Sequence, residues 1–245
     1  VGSEMCIRDR GTLSRPPVLV ICQGRCRGIL QQISKANHDA PRIYHILLTD
    51  HQTPVAHTNR QQREKKLHHV PVMIPEVLDF LNIRKDGVYI DGTIGAGGHA
   101  YEILSKLSSR GMVIGLDRDN DALEISNNKL SSFKNQINLY HSSYHQIQYI
   151  MKLNNISKVD GILLDLGLSS IQLDLNSRGF SFQHDSPIDM RFDQSGGETA
   201  KELIDKLTKE QLADIIYEFG DERRSRKIAK NIKSSRNLNL SLIHI

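Results

Sequence analysis

Three short apolar runs between residues 88 and 165 each end on an aspartate, and the first is followed at once by four glycines in seven residues. A brief apolar run that stops at an acid, passes through glycines and resumes with helical periodicity is the pattern of a buried strand feeding a helix. Parallel strands cannot be joined by a tight hairpin, so the chain between them has to return as a crossover helix. The intervals between the runs leave room for such helices. The pattern is that of an open α/β sheet.

The rest of the periodicity agrees. Ile74, Val77, Leu78 and Leu81 predict a helix over 74–81, and Asp86-Gly87 predicts a turn before a strand over 88–90 closed by Asp91. The glycine loop leads into a helix over 101–107, then a strand over 112–116 closed by Asp117. A helix over 122–130, a strand over 137–141, a helix over 145–153 and a strand over 159–164 follow, the last closed by Asp165. This last strand is apolar on both faces, as a central strand covered by helices must be. Beyond Leu173 the alternation stops. A Gly-, Asp-, Ser- and Arg-rich stretch over 176–197 gives way to helices over 200–207, 209–219 and 222–233. The fold class is therefore a doubly wound α/β sheet over 67–174 with a helical inserted lobe over 175–237. Residues 1–66 hold no sustained period, only apolar pieces at 18–22 and 43–48, and are expected to be a poorly ordered extension. The opening VGSEMCIRDR and closing LSLIHI read like translated sequencing-adapter DNA. On that reading residues 1–66 and 238–245 are artificial, and the natural protein begins near His68 and continues beyond Asn237.

Composition narrows the partners. No apolar run approaches the ~20 residues of a membrane span, so a soluble protein is expected. Cys6, Cys22 and Cys26 all lie within the first 26 residues, so the remainder cannot use disulfides, and a cytoplasmic setting fits. Cys22 and Cys26 lack a second ligand pair, and no metal is assigned. The net charge of +4 is uneven: residues 1–67 hold 11 Lys and Arg against 5 Asp and Glu, while 68–245 hold 21 against 23. Nucleic-acid contact would then need a local patch. Arg223, Arg224, Arg226, Lys227, Lys230 and Lys233, with Ile228, Ala229 and Ile232 between them, form a basic amphipathic helix that fits RNA phosphates. A solvated helix face accounts for the same pattern.

In an open parallel sheet ligands bind beyond the carboxyl ends of the strands, so Asp91, Asp117 and Asp165 should share one crevice. Glycines there let the backbone approach a ligand, although a plain tight turn is the alternative. The spacing is not a clean G-x-G-x-x-G, which counts against a dinucleotide. Asp117 follows Gly95 by 22 residues, the separation at which an acid ending the second strand accepts from both ribose hydroxyls. Arg118 and Asp119 are equally polar, and a solvated acid is the competing reading. After Asp165, the small residues through Ser169 and Ser170 leave space for a substrate base, or make an ordinary polar turn.

Read together, HVPVM at 69–73, YIDGTIGAGGH at 89–99, GLDRD at 115–119, DGILLDLGLSSIQ at 160–172, RGFSF at 178–182, PIDMR at 187–191 and FGDER at 219–223 resemble one family. It is the MraW-type bacterial small-subunit ribosomal RNA (cytosine-N4) methyltransferases, and the resemblance covers roughly residues 68–236. It implies a Rossmann-like class I methyltransferase sheet, here C-terminally truncated, with S-adenosyl-L-methionine as cofactor and small-subunit ribosomal RNA or the 30S subunit as partner. Gly97, Gly98 and His99 would contact the cofactor from the loop, Asp117 at the ribose, Tyr144 near the adenine, and Asp165 and Gln172 around the methionine side, with Asp91 at the first strand end. Asp165, Ser169 and Ser170 would face the cytosine amine. Tyr144 departs from the family's usual Phe, Ala96 stands where Arg is common, and Ile171 where Pro is common. Because family members continue with further strands, the chain as given is expected to transfer methyl groups weakly or not at all. A methyltransferase of a small molecule or protein, and a nonenzymatic RNA-binding protein of degenerate fold, are the competing readings.

Overall fold

Each apolar run read above as a strand takes its place in one sheet. The computed structural model describes residues 18–22, 42–46, 71, 73–181 and 185–234. Its strands β1 (Val18–Cys22), β2 (Arg42–Ile46), β3 (Val88–Asp91), β4 (Met112–Asp117), β5 (Ile137–His141) and β6 (Gly161–Asp165) pair in parallel in the order β2-β1-β6-β3-β4-β5. Helix α1 (Ile74–Leu81) precedes β3, and α2 (Gly98–Leu104), α3 (Asn120–Lys129) and α4 (Ile147–Leu153) make the crossovers. The chain steps outward from β3 to β4 to β5, then returns to set β6 on the other side of β3. That reversal opens a crevice at the carboxyl ends of β3 and β6.

Successive residues of a strand point to opposite faces, and here both faces are covered. Tyr89, Val113 and Leu163 pack with Val77, Leu81, Ile103 and Leu104 on one side. Ile90, Ile114 and Leu116 pack with Ile150 on the other. The two buried layers pin the strand register, and with it the position of every strand-end acid.

Two differences from the sequence reading stand out. Poor order was expected throughout residues 1–66, yet two of its pieces are strands, β1 pairing with β6 and β2 with β1. The reason is visible in VLVIC and RIYHI: both are short runs rich in β-branched or aromatic residues, which suit the open edge of β6. The rest of 1–66, and the tail at 238–245, lie outside the described residues. The second difference is α5 (Ser170–Asp174), a five-residue helix that follows β6 after the loop over 166–169.

After a looping stretch come α6 (Ala200–Lys206), α7 (Lys209–Gly220) and α8 (Ser225–Ser234). Thr199 and Thr208 start α6 and α7 through reciprocal capping boxes with Glu202 and Gln211. Leu212 and Ala213 of α7 pack on Ala229 and Ile232 of α8, giving these helices a small core of their own. Among the described residues no helix is long and apolar enough to cross a membrane.

Candidate functional site

The crevice at the sheet's carboxyl edge holds a cavity of about 420 Å³, within the range that takes a nucleoside-sized ligand. Backbone bonds fix its floor. Gly92 N–H donates to the Leu163 carbonyl and Ile94 N–H to the Leu116 carbonyl, both at 2.9 Å, stitching the glycine loop to β6 and β4. Asp165 N–H donates to Thr93 Oγ1 at 2.7 Å, which ties the end of β6 to the same loop. Two glycines are required by geometry. Gly97 holds φ 75° at the start of α2, a left-handed conformation that a side chain strains. A Cβ on Gly98 would lie 2.1 Å from Pro71 Cγ, so the loop reaches its position only because that side chain is absent.

The three strand-end acids differ in environment. Asp117 lines the cavity; its Oδ2 accepts from Gly95 N–H at 2.8 Å and its Oδ1 from Asp119 N–H at 3.0 Å. Burial raises its pKa, the two N–H bonds oppose the rise, and the neighbouring Asp119 charge adds to it. Asp91 is 1% exposed and lies beneath the cavity wall rather than in it. Burial pushes its carboxyl up to about 7 against the Thr93 N–H bond, and the charges of Asp165 and Asp117 reinforce the shift. Asp165 lines the cavity beside Leu166, Gly167 and Leu168. Three carboxylates thus crowd one sheet edge, an arrangement that favours a cationic ligand.

Of the residues chosen from the sequence, Gly98, His99, Asp117, Tyr144, Asp165, Ser169 and Gln172 all line this cavity. Tyr144 adds an aromatic wall, its ring tilted 34° against His145 with centroids 4.5 Å apart. Two of the polar choices are already engaged. Ser169 caps α5, its Oγ accepting from Gln172 N–H at 3.2 Å while Gln172 Oε1 accepts from Ser169 N–H at 3.1 Å. The Gln172 amide then donates to Asp119 Oδ2 at 3.1 Å. Gly97 is not in the wall; it faces Ser126 and Leu130 of the α3 region. The Ser170 side chain lies outside the described part of the structure.

Sequence reasoning missed Phe192 and Arg118, which also line the cavity. Phe192 comes from the stretch before the helical lobe, with the Arg118 guanidinium 6.0 Å from its ring centre and the Phe180 ring edge-on at 5.5 Å. No local spacing encodes the contact with Arg118, because tertiary folding alone joins residues so far apart in the chain. On the lobe, Arg223, Arg224, Arg226, Lys227 and Lys230 are at least partly exposed, whereas Lys233 Nζ donates to the Ile204 and Asp205 carbonyls of α6. One of the six cations chosen as an RNA grip therefore serves a helix end.

The sequence profile of the MraW methylase family matches residues 66–241. Ribosomal RNA small subunit methyltransferase H of Thermosipho africanus is 45% identical over 174 residues, which make up 71% of this chain and 59% of that protein. The chain therefore spans 59% of the length of that relative. Among solved structures, a SAM-dependent O-methyltransferase of Thermotoga maritima shares 15% identity at a TM-score of 0.32, over 38% of this chain and 34% of that one.

Proposed function

Because the chain belongs to the MraW methylase family, we propose that its cleft presents the methyl group of S-adenosyl-L-methionine to the N4 amine of a cytosine in small-subunit ribosomal RNA. The residues of the cleft fit that cofactor. Asp117 keeps acceptor capacity beyond its two backbone bonds, which suits the ribose hydroxyls. Tyr144 offers a face to the adenine. The observation that carries the reading is the crowding of Asp91, Asp117 and Asp165, whose mutual repulsion a sulfonium and an ammonium group would relieve.

When bound, S-adenosylmethionine supplies a methyl group activated by the positive charge on its sulfur. The residues have to hold the amine in line and manage its proton. The exocyclic amine of cytosine is a poor nucleophile because its lone pair is delocalised into the ring. Asp165 accepts a hydrogen bond from that amine, draws the lone pair toward nitrogen and receives the proton the nitrogen sheds. Gly167 leaves room for a base turned out of its stack, and Phe192 closes the far wall. Ser169, committed to capping α5, holds the loop in shape, and Ser170 stands beside it. The exposed cations of α8 and the turn before it grip phosphates of the RNA or the 30S subunit, in the cytoplasm.

Labelled S-adenosylmethionine, small ribosomal subunits and a form of the protein extended to the length of its relative, followed by nucleoside analysis, test this reading. The label is expected in N4-methylcytidine, with Asp165→Asn slower by roughly 10² to 10⁴. Label in another nucleoside, or only in protein or small molecules, would overturn it.

A further inference from the structure

We propose that Arg178 is a positioning residue that ties the floor of the cleft to the segment carrying Phe192, so that both walls of the site are set together. Arg178 and Asp119 are buried, each side chain 2% exposed. The guanidinium meets Asp119 end-on, Nη2 at 2.6 Å from Oδ2 and Nη1 at 3.2 Å from Oδ1. Nη1 also donates to Asp121 Oδ2 at 3.1 Å. On the other side Nη2 donates to the Phe192 carbonyl at 2.8 Å and the Arg191 carbonyl at 3.2 Å. One planar group thus joins the turn after β4 to the backbone of the residue that forms the far wall.

Asp119 is the hub of the other half. Its Oδ1 accepts from Asp121 N–H at 3.1 Å, starting α3, and its Oδ2 accepts from the Gln172 amide. Its own N–H donates to Asp117 Oδ1. Bonds therefore run from Asp117 through Asp119 to Arg178 and Phe192, with a branch through Gln172 to Ser169. The pair is not there chiefly for stability: a buried ion pair is a poor stabiliser relative to apolar side chains of equal volume, whereas it specifies one arrangement well. Arg178 Nε finds no hydrogen-bond partner among the described residues. The side chain leaves that donor unsatisfied and commits its two terminal nitrogens. Lysine, with a single nitrogen, cannot reproduce the fork.

The ligand readout of the test rests on the cofactor reading; the reporter readout does not. The chain has no tryptophan, so Phe192→Trp places a single fluorophore in the wall. In that background Arg178→Lys is expected to make the introduced indole more accessible to acrylamide without ligand. S-adenosylhomocysteine should then bind roughly tenfold more weakly, although Asp117, Tyr144 and Asp165 are untouched. Asp121→Ala removes only the exposed arm of the network and should shift both readouts the same way, less far, so it carries the test if Arg178→Lys does not fold. Quenching unchanged in a folded variant, with affinity within about twofold of the parent, would overturn the proposal and leave Arg178 a plain core ion pair. If the parent itself fails to bind S-adenosylhomocysteine, the cofactor reading falls, while the ligand-free quenching still decides the role of Arg178.

Discussion

Asp91 sits under the floor of the cleft with a carboxyl held up to about 7, mainly by burial. A group whose folded pKa lies above its unfolded one contributes stability that is complete below the unfolded value and is lost as pH rises through the folded value. The ligand-free protein should therefore lose stability between about pH 4 and about pH 7, by on the order of a few kcal/mol, and level off above that. Asp91→Asn should flatten this slope in thermal melts across the range; an unchanged slope would assign it to other groups. A cationic ligand favours the ionised form, so calorimetry should show S-adenosylmethionine binding tighter above about pH 7 than below it, and the variant should lose that dependence. Asp117 acts differently. It already accepts from two backbone N–H groups, so Asp117→Ala removes the acceptor proposed for the ribose and strands both donors, and affinity should drop by tenfold to a hundredfold (~1.5–3 kcal/mol). These acids were legible in the sequence because a strand end is a local feature with a fixed meaning in a parallel sheet. Phe192 was not, since contacts remote in sequence, the Arg178 fork and the Arg118 and Phe180 side chains, bring it to the site.

At the level of elements, legibility followed length. The helices over 74–81 and in the lobe show enough turns for a 3.6-residue period to register, and they appear within a few residues of where the sequence placed them. Helix α5 has five residues, too few for any period, yet its start was written in the Ser169 to Gln172 spacing of a capping box. The last helix begins at Ser225 rather than residue 222, because Glu222 accepts from Arg224 N–H in a turn ahead of it. The loop between β3 and α2 gives the sharpest prediction at this scale. Gly98→Ala places a methyl group 2.1 Å from Pro71 Cγ, so either Pro71 or the loop must move. The expected cost is ~1–3 kcal/mol of stability together with weaker cofactor binding, read by thermal melts and calorimetry. A variant that melts and binds like the parent would show that Pro71 yields freely.

Across the whole molecule, the charge distribution bears on where the RNA partner proposed above would be held. Residues 68–245 carry 21 basic against 23 acidic side chains, so no overall field draws a polyanion to the sheet. Within these residues attraction needs a local patch, and the lobe offers one, where Arg226, Lys227 and Lys230 stand toward solvent on α8 while the apolar residues of the same helix pack on α7. Each cation that neutralises a phosphate releases a counterion and steepens the fall of affinity with salt, by about 0.7 to 0.9 in the logarithmic slope. Replacing Arg226 and Lys230 with alanine should therefore lower the slope for a small-subunit RNA fragment by roughly 1.4 to 1.8, measured by fluorescence anisotropy over a salt series. Lys233 provides the internal contrast, because its ammonium is spent on the Ile204 and Asp205 carbonyls. Lys233→Ala should loosen the lobe and leave the slope nearly as it was. If the double variant keeps the parental slope, these cations are a solvated face, and the RNA grip proposed for α8 falls.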